Sequence, residues 1–214
     1  ATDGDSLLRR LTYDLHGMPP TPAESDAFAR DYDAAVARDV YAMRNGQPAR
    51  AASLVVERVV DRLLTSPRYG ERWARHWLDT ARYSDTHGLH FDAYREMWPY
   101  RDWVVRAMNA DLPFDRFTLW QIAGDLLPGR TREQQVASGY NRLGMMSAEG
   151  GVQDREYRAK YAADRVRNVS GTWLGMTMGC AECHDHKFDP IKSADFYSLQ
   201  AFFADVKQWG VYAD

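Results

Sequence analysis

The chain has 214 residues, with 27 basic and 30 acidic side chains and 45% hydrophobic residues, a balance that suits one fairly large folded domain spanning 1–214. A formal net charge of -3 supplies no basic field for nucleic acid, and no run approaches the roughly 20 apolar residues that cross a bilayer. The chain has only two cysteines, Cys180 and Cys183, too close in sequence to build a disulfide framework.

Turns and periodic runs, taken in chain order, predict an all-α or predominantly α chain, an irregular multi-helix domain with long loops. Pro19-Pro20-Thr21-Pro22-Ala23-Glu24 reads as a turn opening a helix, with Thr21 as N-cap, Pro22 at N1 and Glu24 at N3. The alanine-rich segment that follows, to about residue 40, continues it until Asn45-Gly46-Gln47-Pro48 interrupts. Leu54, Val55, Val59, Leu63 and Leu64 then recur at helical spacing, and Ser66-Pro67 starts the next element. From 67 to about 83, Arg72, Arg75, His76, Asp79 and Arg82 form a polar stripe beside Trp73 and Trp77. Residues 84–94 carry His87 and His90 around Gly88 and read as a loop. Helical patterns return over 98–108 and 117–127, Thr131-Arg132-Glu133-Gln134 fits a capping box, and 141–153 is irregular, with Met145, Met146, Glu149, Gly150 and Gly151. A helix, or two joined helices, over 155–178 leads into the cysteine motif, Asp189-Pro190 stops the loop after it, and 194–206 is a final helix. There is no internal repeat.

The most informative stretch is Cys180-Ala181-Glu182-Cys183-His184. Two cysteines separated by two residues and followed at once by histidine can make two thioether bonds to haem and supply an axial iron ligand, the signature of c-type attachment. Cys-x-x-Cys also serves local redox disulfides and half-sites for zinc, but neither use explains the histidine that follows Cys183. The cofactor implied is one covalently attached haem c. Attachment of this kind is usually completed outside the cytoplasm, so a periplasmic or otherwise exported location is expected, with an export signal removed or outside this sequence.

His184 is then the proximal ligand, and its second imidazole nitrogen calls for a backbone carbonyl or a carboxylate such as Asp189. His186, two positions beyond, is placed for hydrogen bonding beside the ligand rather than for the opposite face of the ring. The stripe over 67–83 has two readings: a solvated or ion-paired helix face, or a haem-facing helix with His76 near iron and Arg75 and Arg82 near the propionates. If His76, His90, His87 or a methionine fills the opposite axial position, the iron is six-coordinate and suited to electron transfer with a redox partner protein or domain. If that position is open, a haem-dependent oxidoreductase or peroxidase-like enzyme becomes the alternative, with His76, Arg75 or Glu149 moving protons. A third reading is a structural or interaction module of a larger polysaccharide-processing or surface protein, because 214 residues exceed what one electron-carrying haem requires.

Arg68-Tyr69-Gly70-Glu71-Arg72-Trp73-Ala74-Arg75-His76-Trp77-Leu78-Asp79 and Gly179-Cys180-Ala181-Glu182-Cys183-His184-Asp185-His186-Lys187-Phe188-Asp189-Pro190-Ile191 resemble the planctomycete cytochrome C-like domain of unknown function, the PSCyt2 type. Tyr13-Asp14-Leu15-His16-Gly17-Met18-Pro19-Pro20, Tyr100-Arg101-Asp102-Trp103 and Glu149-Gly150-Gly151 extend the resemblance over nearly the whole chain. It implies a domain of larger exported proteins with additional domains, and carries the haem thiolates onto Cys180 and Cys183 and the proximal imidazole onto His184. His76, Asp79, Arg82, Asp85, Glu149, Asp164, Arg165 and His186 are family-like polar positions with no job assigned. The resemblance carries less to His87 and His90, because many relatives have other residues in the segment matching Asp85-Thr86-His87-Gly88, so ligation by either would belong to a subset.

Overall fold

The structure, a computed structural model, describes residues 3–147 and 151–207, and Glu149 lies outside them. The architecture is helical as expected: the described residues contain nine α-helices, and isolated bridges, Thr86 with Tyr94 and Gly88 with Met146, take the place of any sheet. The chain divides into two compact units, one of Ala1–His76 with Val105–Leu112 and one of Trp77–Val104 with Pro113–Asp214.

The first unit opens with α1, Gly4–His16, a helix that sequence reading left unassigned. Asp3 caps it by accepting the Ser6 amide at 2.8 Å. Helix α2, Pro22–Arg44, starts on the capping box expected at Thr21 and Glu24 and ends at Asn45. Helix α3 is Ala51–Leu64, and α4, Pro67–Thr80, begins in this unit. Leu8, Phe28, Ala35 and Val55 form the buried centre, where the apolar stripes of the first three helices meet. The His16 Nε2–H donates to the Leu63 carbonyl at 2.9 Å and ties the end of α1 to that of α3.

The second unit takes the end of α4, most of α5 (Trp98–Asn109), α6 (Phe114–Ala123), α7 (Arg132–Ala137), α8 (Asp154–Leu174) and α9 (Ser193–Ala201). An aromatic cluster fills one part of it: Trp103 stacks on Phe117 at 5.5 Å, and Trp77 meets Phe117 at 4.9 Å and Trp173 at 4.7 Å. Gln121, fully buried, accepts from Tyr100 Oη at 2.6 Å and from Trp77 Nε1 at 2.8 Å at the edge of this cluster. A second buried cluster consists of Ala163, Val166, Met178, Ala181, Ile191, Phe196 and Phe203, and the cysteine motif sits on it.

Helix ends differ from the sequence pattern where the backbone turns early. Arg82 adopts φ 60°, which a helix extending to 83 would not allow, and α4 stops at Thr80. Helix α8 stops at Leu174 rather than 178 because Gly175 takes the left-handed conformation at φ 63° and the Ser170 carbonyl accepts the Met176 amide at 3.0 Å. Helix α6 starts directly after Pro113 and passes into a 3-10 turn at Gly124–Leu126. Helix α9 closes at Ala201, five residues before the patterned end at 206.

Candidate haem-attachment site

Between α8 and α9 the chain makes a 3-10 turn, Met178–Glu182, that carries both cysteines into the following residue. Side chains three apart eclipse in a 3-10 helix, and the turn uses this directly. Met178 and Ala181 point inward, with 6% and 0% exposure, while Cys180 and Cys183, also three apart, are exposed as free thiols. The spacing of the motif is thus the period of the local helix. With Met178 and Ala181 turned into the core, both cysteines are left exposed.

His184 is exposed as well, and its Nδ1 lies 2.8 Å from the Asp185 carbonyl oxygen. A carbonyl only accepts, so Nδ1 carries the proton and the lone pair of the neutral ring is on Nε2. Asp189, the carboxylate considered for this role, instead sits 3.4 Å from His186 Nδ1. His186 has a side chain only 8% exposed and organises the loop: its Nδ1 accepts the Asp189 and Phe188 amides at 2.9 Å and 3.3 Å. Its proton is therefore on Nε2, which donates to Thr177 Oγ1 at 3.2 Å. With both nitrogens engaged, His186 supports the loop after the cysteines and offers no free nitrogen to a ligand.

Other contacts fix the turn from behind. Tyr197 on α9 donates to the Glu182 carbonyl at 2.8 Å, and the Ser193 amide donates to Asp185 Oδ1 at 2.9 Å. Arg167 on α8 pairs with the Glu182 carboxylate, and its stem lies against Gly179, where a Cβ would meet Cγ and Cδ at 3.4 Å.

The loop 81–97 gathers a second set of polar residues in the same unit. Arg82 pairs with Asp164 of α8 at 2.7 Å, beside Gly144, whose φ of 107° and missing side chain leave room for both groups. Arg95 reaches the Gly144 carbonyl at 2.8 Å. His87 is 5% exposed, and its Nδ1 is buried without a hydrogen-bond partner. Burial, reinforced by the Arg95 guanidinium and opposed by Asp92, holds its pKa below the ordinary histidine value. His90 differs: it is exposed, at φ 52°, with Nδ1 3.0 Å from the Oγ of fully buried Ser147, whose amide donates to Tyr161 Oη at 2.7 Å. His76 and Arg75 belong to the first unit, where both are exposed and His76 lies against the Trp73 ring at 5.6 Å.

A family model described as PSCyt2, protein of unknown function (DUF1549), matches residues 1–208. The chain belongs to this family. No curated protein and no solved structure matches it. Family membership therefore carries the cytochrome-type character of the closely spaced cysteines without a reaction or a substrate.

The donor set at the turn fits a covalently held haem. Two exposed, unpaired thiols share one side, and the adjacent imidazole has its Nδ1 proton engaged and its Nε2 lone pair available. A four-ligand zinc site fits less well, because no group of three or more His, Cys, Asp or Glu side chains comes together among the described residues. Arg167, Thr177, Tyr197 and Ser193 were not identifiable from sequence as supports of the turn. Their partners lie eight to fifteen residues away and form no local pattern.

Proposed function

We propose that this domain carries one covalently attached haem c, held by Cys180 and Cys183 and ligated by His184, and serves electron transfer with a redox partner protein or domain in the periplasm or another exported compartment. Bound there, haem supplies a one-electron iron couple. The observation that carries this reading is the exposure of two free thiols three residues apart beside an imidazole whose Nδ1–H is fixed by the Asp185 carbonyl. That hydrogen bond orients the ring and strengthens Nε2 as a donor. Among the described residues no helix is long and apolar enough to cross a membrane.

Should one of the two loop histidines serve as the second iron ligand, His90 would be the readier. Its ring is exposed and oriented through Nδ1 by Ser147, whereas ligation by His87 would require its buried imidazole to come out of the loop.

Expression with a functional cytochrome maturation system tests the whole reading. A haem adduct that survives denaturation, with one thioether lost in Cys180→Ser or Cys183→Ser and both in the double variant, is expected. A low-spin six-coordinate spectrum in both redox states is the signature of electron transfer, and His90→Ala should convert it to high spin. Wild-type protein that emerges without covalent haem overturns the assignment. A high-spin wild type that binds carbon monoxide or reacts with peroxide replaces electron transfer with haem enzyme chemistry.

A further inference from the structure

Resting on the haem reading above, we propose that Arg167 is a positioning and charge-compensating residue for the haem, setting the iron's reduction potential through Glu182. Glu182 lies between the two cysteines, so its carboxylate would be a fixed charge within the short segment that holds the haem. A negative charge there favours ferric over ferrous iron, because reduction removes one positive charge from the centre. Arg167 answers that charge. It reaches from α8 across the back of the turn, its stem lying flat on Gly179 and its guanidinium paired with the Glu182 carboxylate.

Of the other acidic groups of the loop, Asp185 accepts the Ser193 amide at 2.9 Å, and Asp189 is half-exposed to solvent with its backbone amide on His186 Nδ1. The backbone at Glu182 is held by Tyr197, whose hydroxyl donates to the Glu182 carbonyl, while the carboxylate itself is held by Arg167. The pair is half-exposed, at 44% and 30% for the two side chains, and solvent screening keeps its influence moderate.

The test is a potentiometric titration of haem-loaded protein. Arg167→Met removes the cation and leaves Glu182 uncompensated; its reduction equilibrium constant should fall about three- to tenfold, a drop of roughly 30–60 mV at 59 mV per tenfold for a one-electron couple. Arg167→Lys should keep most of the wild-type potential. Glu182→Gln retains the arginine and should move the potential in the opposite direction, and the double variant Arg167→Met/Glu182→Gln should return to within about twofold of wild type. The Arg167→Met shift should also shrink in 1 M salt. A support role without electrostatic coupling would give no sign reversal between the two single variants. Haem-loaded Arg167→Met with an unchanged potential, or single variants shifting in the same direction, overturns the role of Arg167 and leaves the haem reading standing. If Arg167→Met does not fold, Glu182→Gln alone decides: no upward shift overturns the proposal. Wild-type protein without covalent haem overturns the haem reading instead.

Discussion

Enlarging Ala181 tests the placement of the cysteines at its mechanical origin. Ala181 is 0% exposed and packs in the cluster that contains Val166 and Phe196, both also 0% exposed. Leucine adds three carbons there. Were space available, burying them would stabilise the fold by about 0.8 kcal/mol each; in a closed cluster, overpacking instead costs about 1–3 kcal/mol. Glu182→Leu installs the same leucine one residue later, in place of a side chain of similar size that is 30% exposed, and forfeits an ion pair contributing about 0–1 kcal/mol. Ala181→Leu should therefore be the less stable variant by about 1–2 kcal/mol. Phe196→Ala, which empties the same cluster, provides the scale at about 3–5 kcal/mol. Urea unfolding of the haem-free protein gives the global values. Because the chain has two units, hydrogen exchange at residues 178–184 should accompany it to localise the loss. Under maturation conditions, Ala181→Leu should also lower the yield of covalent haem more than Glu182→Leu does. Equal stability of the two leucine variants, with Phe196→Ala showing its full loss, would refute the inward placement of Ala181 and the outward placement of the thiols derived from it.

Four further perturbations probe the scaffold. His87 has a folded-state pKa below its unfolded value, so unfolding takes up a proton; its contribution is fully present above about pH 6.5 and declines as pH falls below that. His87→Gln should flatten the pH dependence of the urea midpoint between pH 7 and 5, and an unchanged slope would show that His87 does not titrate in that transition. Thr21→Ala should cost about 1 kcal/mol by removing the cap of α2. Hydrogen bonds from Thr21 and Arg62 hold the Glu24 carboxyl at a pKa of about 2, so the contribution of Glu24 should persist above pH 4.5 and disappear toward pH 2; acid titration of Glu24→Gln against wild type checks the window. Gly144→Ala places a Cβ 3.0 Å from Asp164 Oδ2 at a φ of 107°, and should lower stability by about 1–3 kcal/mol in a thermal melt. Wild-type stability in that variant would show that the loop relaxes without strain.

Elements whose causes lie within a few residues were legible in the sequence. The capping boxes at Thr21 and Thr131 and the prolines at 22 and 67 placed helix starts because a cap and its partner are three residues apart. Helix ends were less legible because left-handed backbone at Arg82 and Gly175 closes α4 and α8 while the side-chain pattern continues. The pairing of Arg82 with Asp164, the burial of His87 and the grip of Arg167 on Glu182 are long-range consequences of packing, which neither periodicity nor composition encodes.

The attachment motif itself shows both limits in one place. Its spacing of three is the period of a 3-10 turn, so the motif specifies that two thiols share a side whenever that turn forms. It does not specify which side faces out. That choice is made by Ala181 and Met178 entering the core beside Phe196, and it is reinforced by His186, which spends one nitrogen on Thr177 before the turn and the other on the amides of Phe188 and Asp189 after it. Since those bonds span the motif from both ends, replacing His186 by alanine should loosen the loop while leaving Cys180, Cys183 and His184 chemically intact. The expected outcome is a lower yield of covalent haem with faster amide exchange over 184–191. Unchanged loading and exchange would show that core burial of Met178 and Ala181 is sufficient to orient the turn.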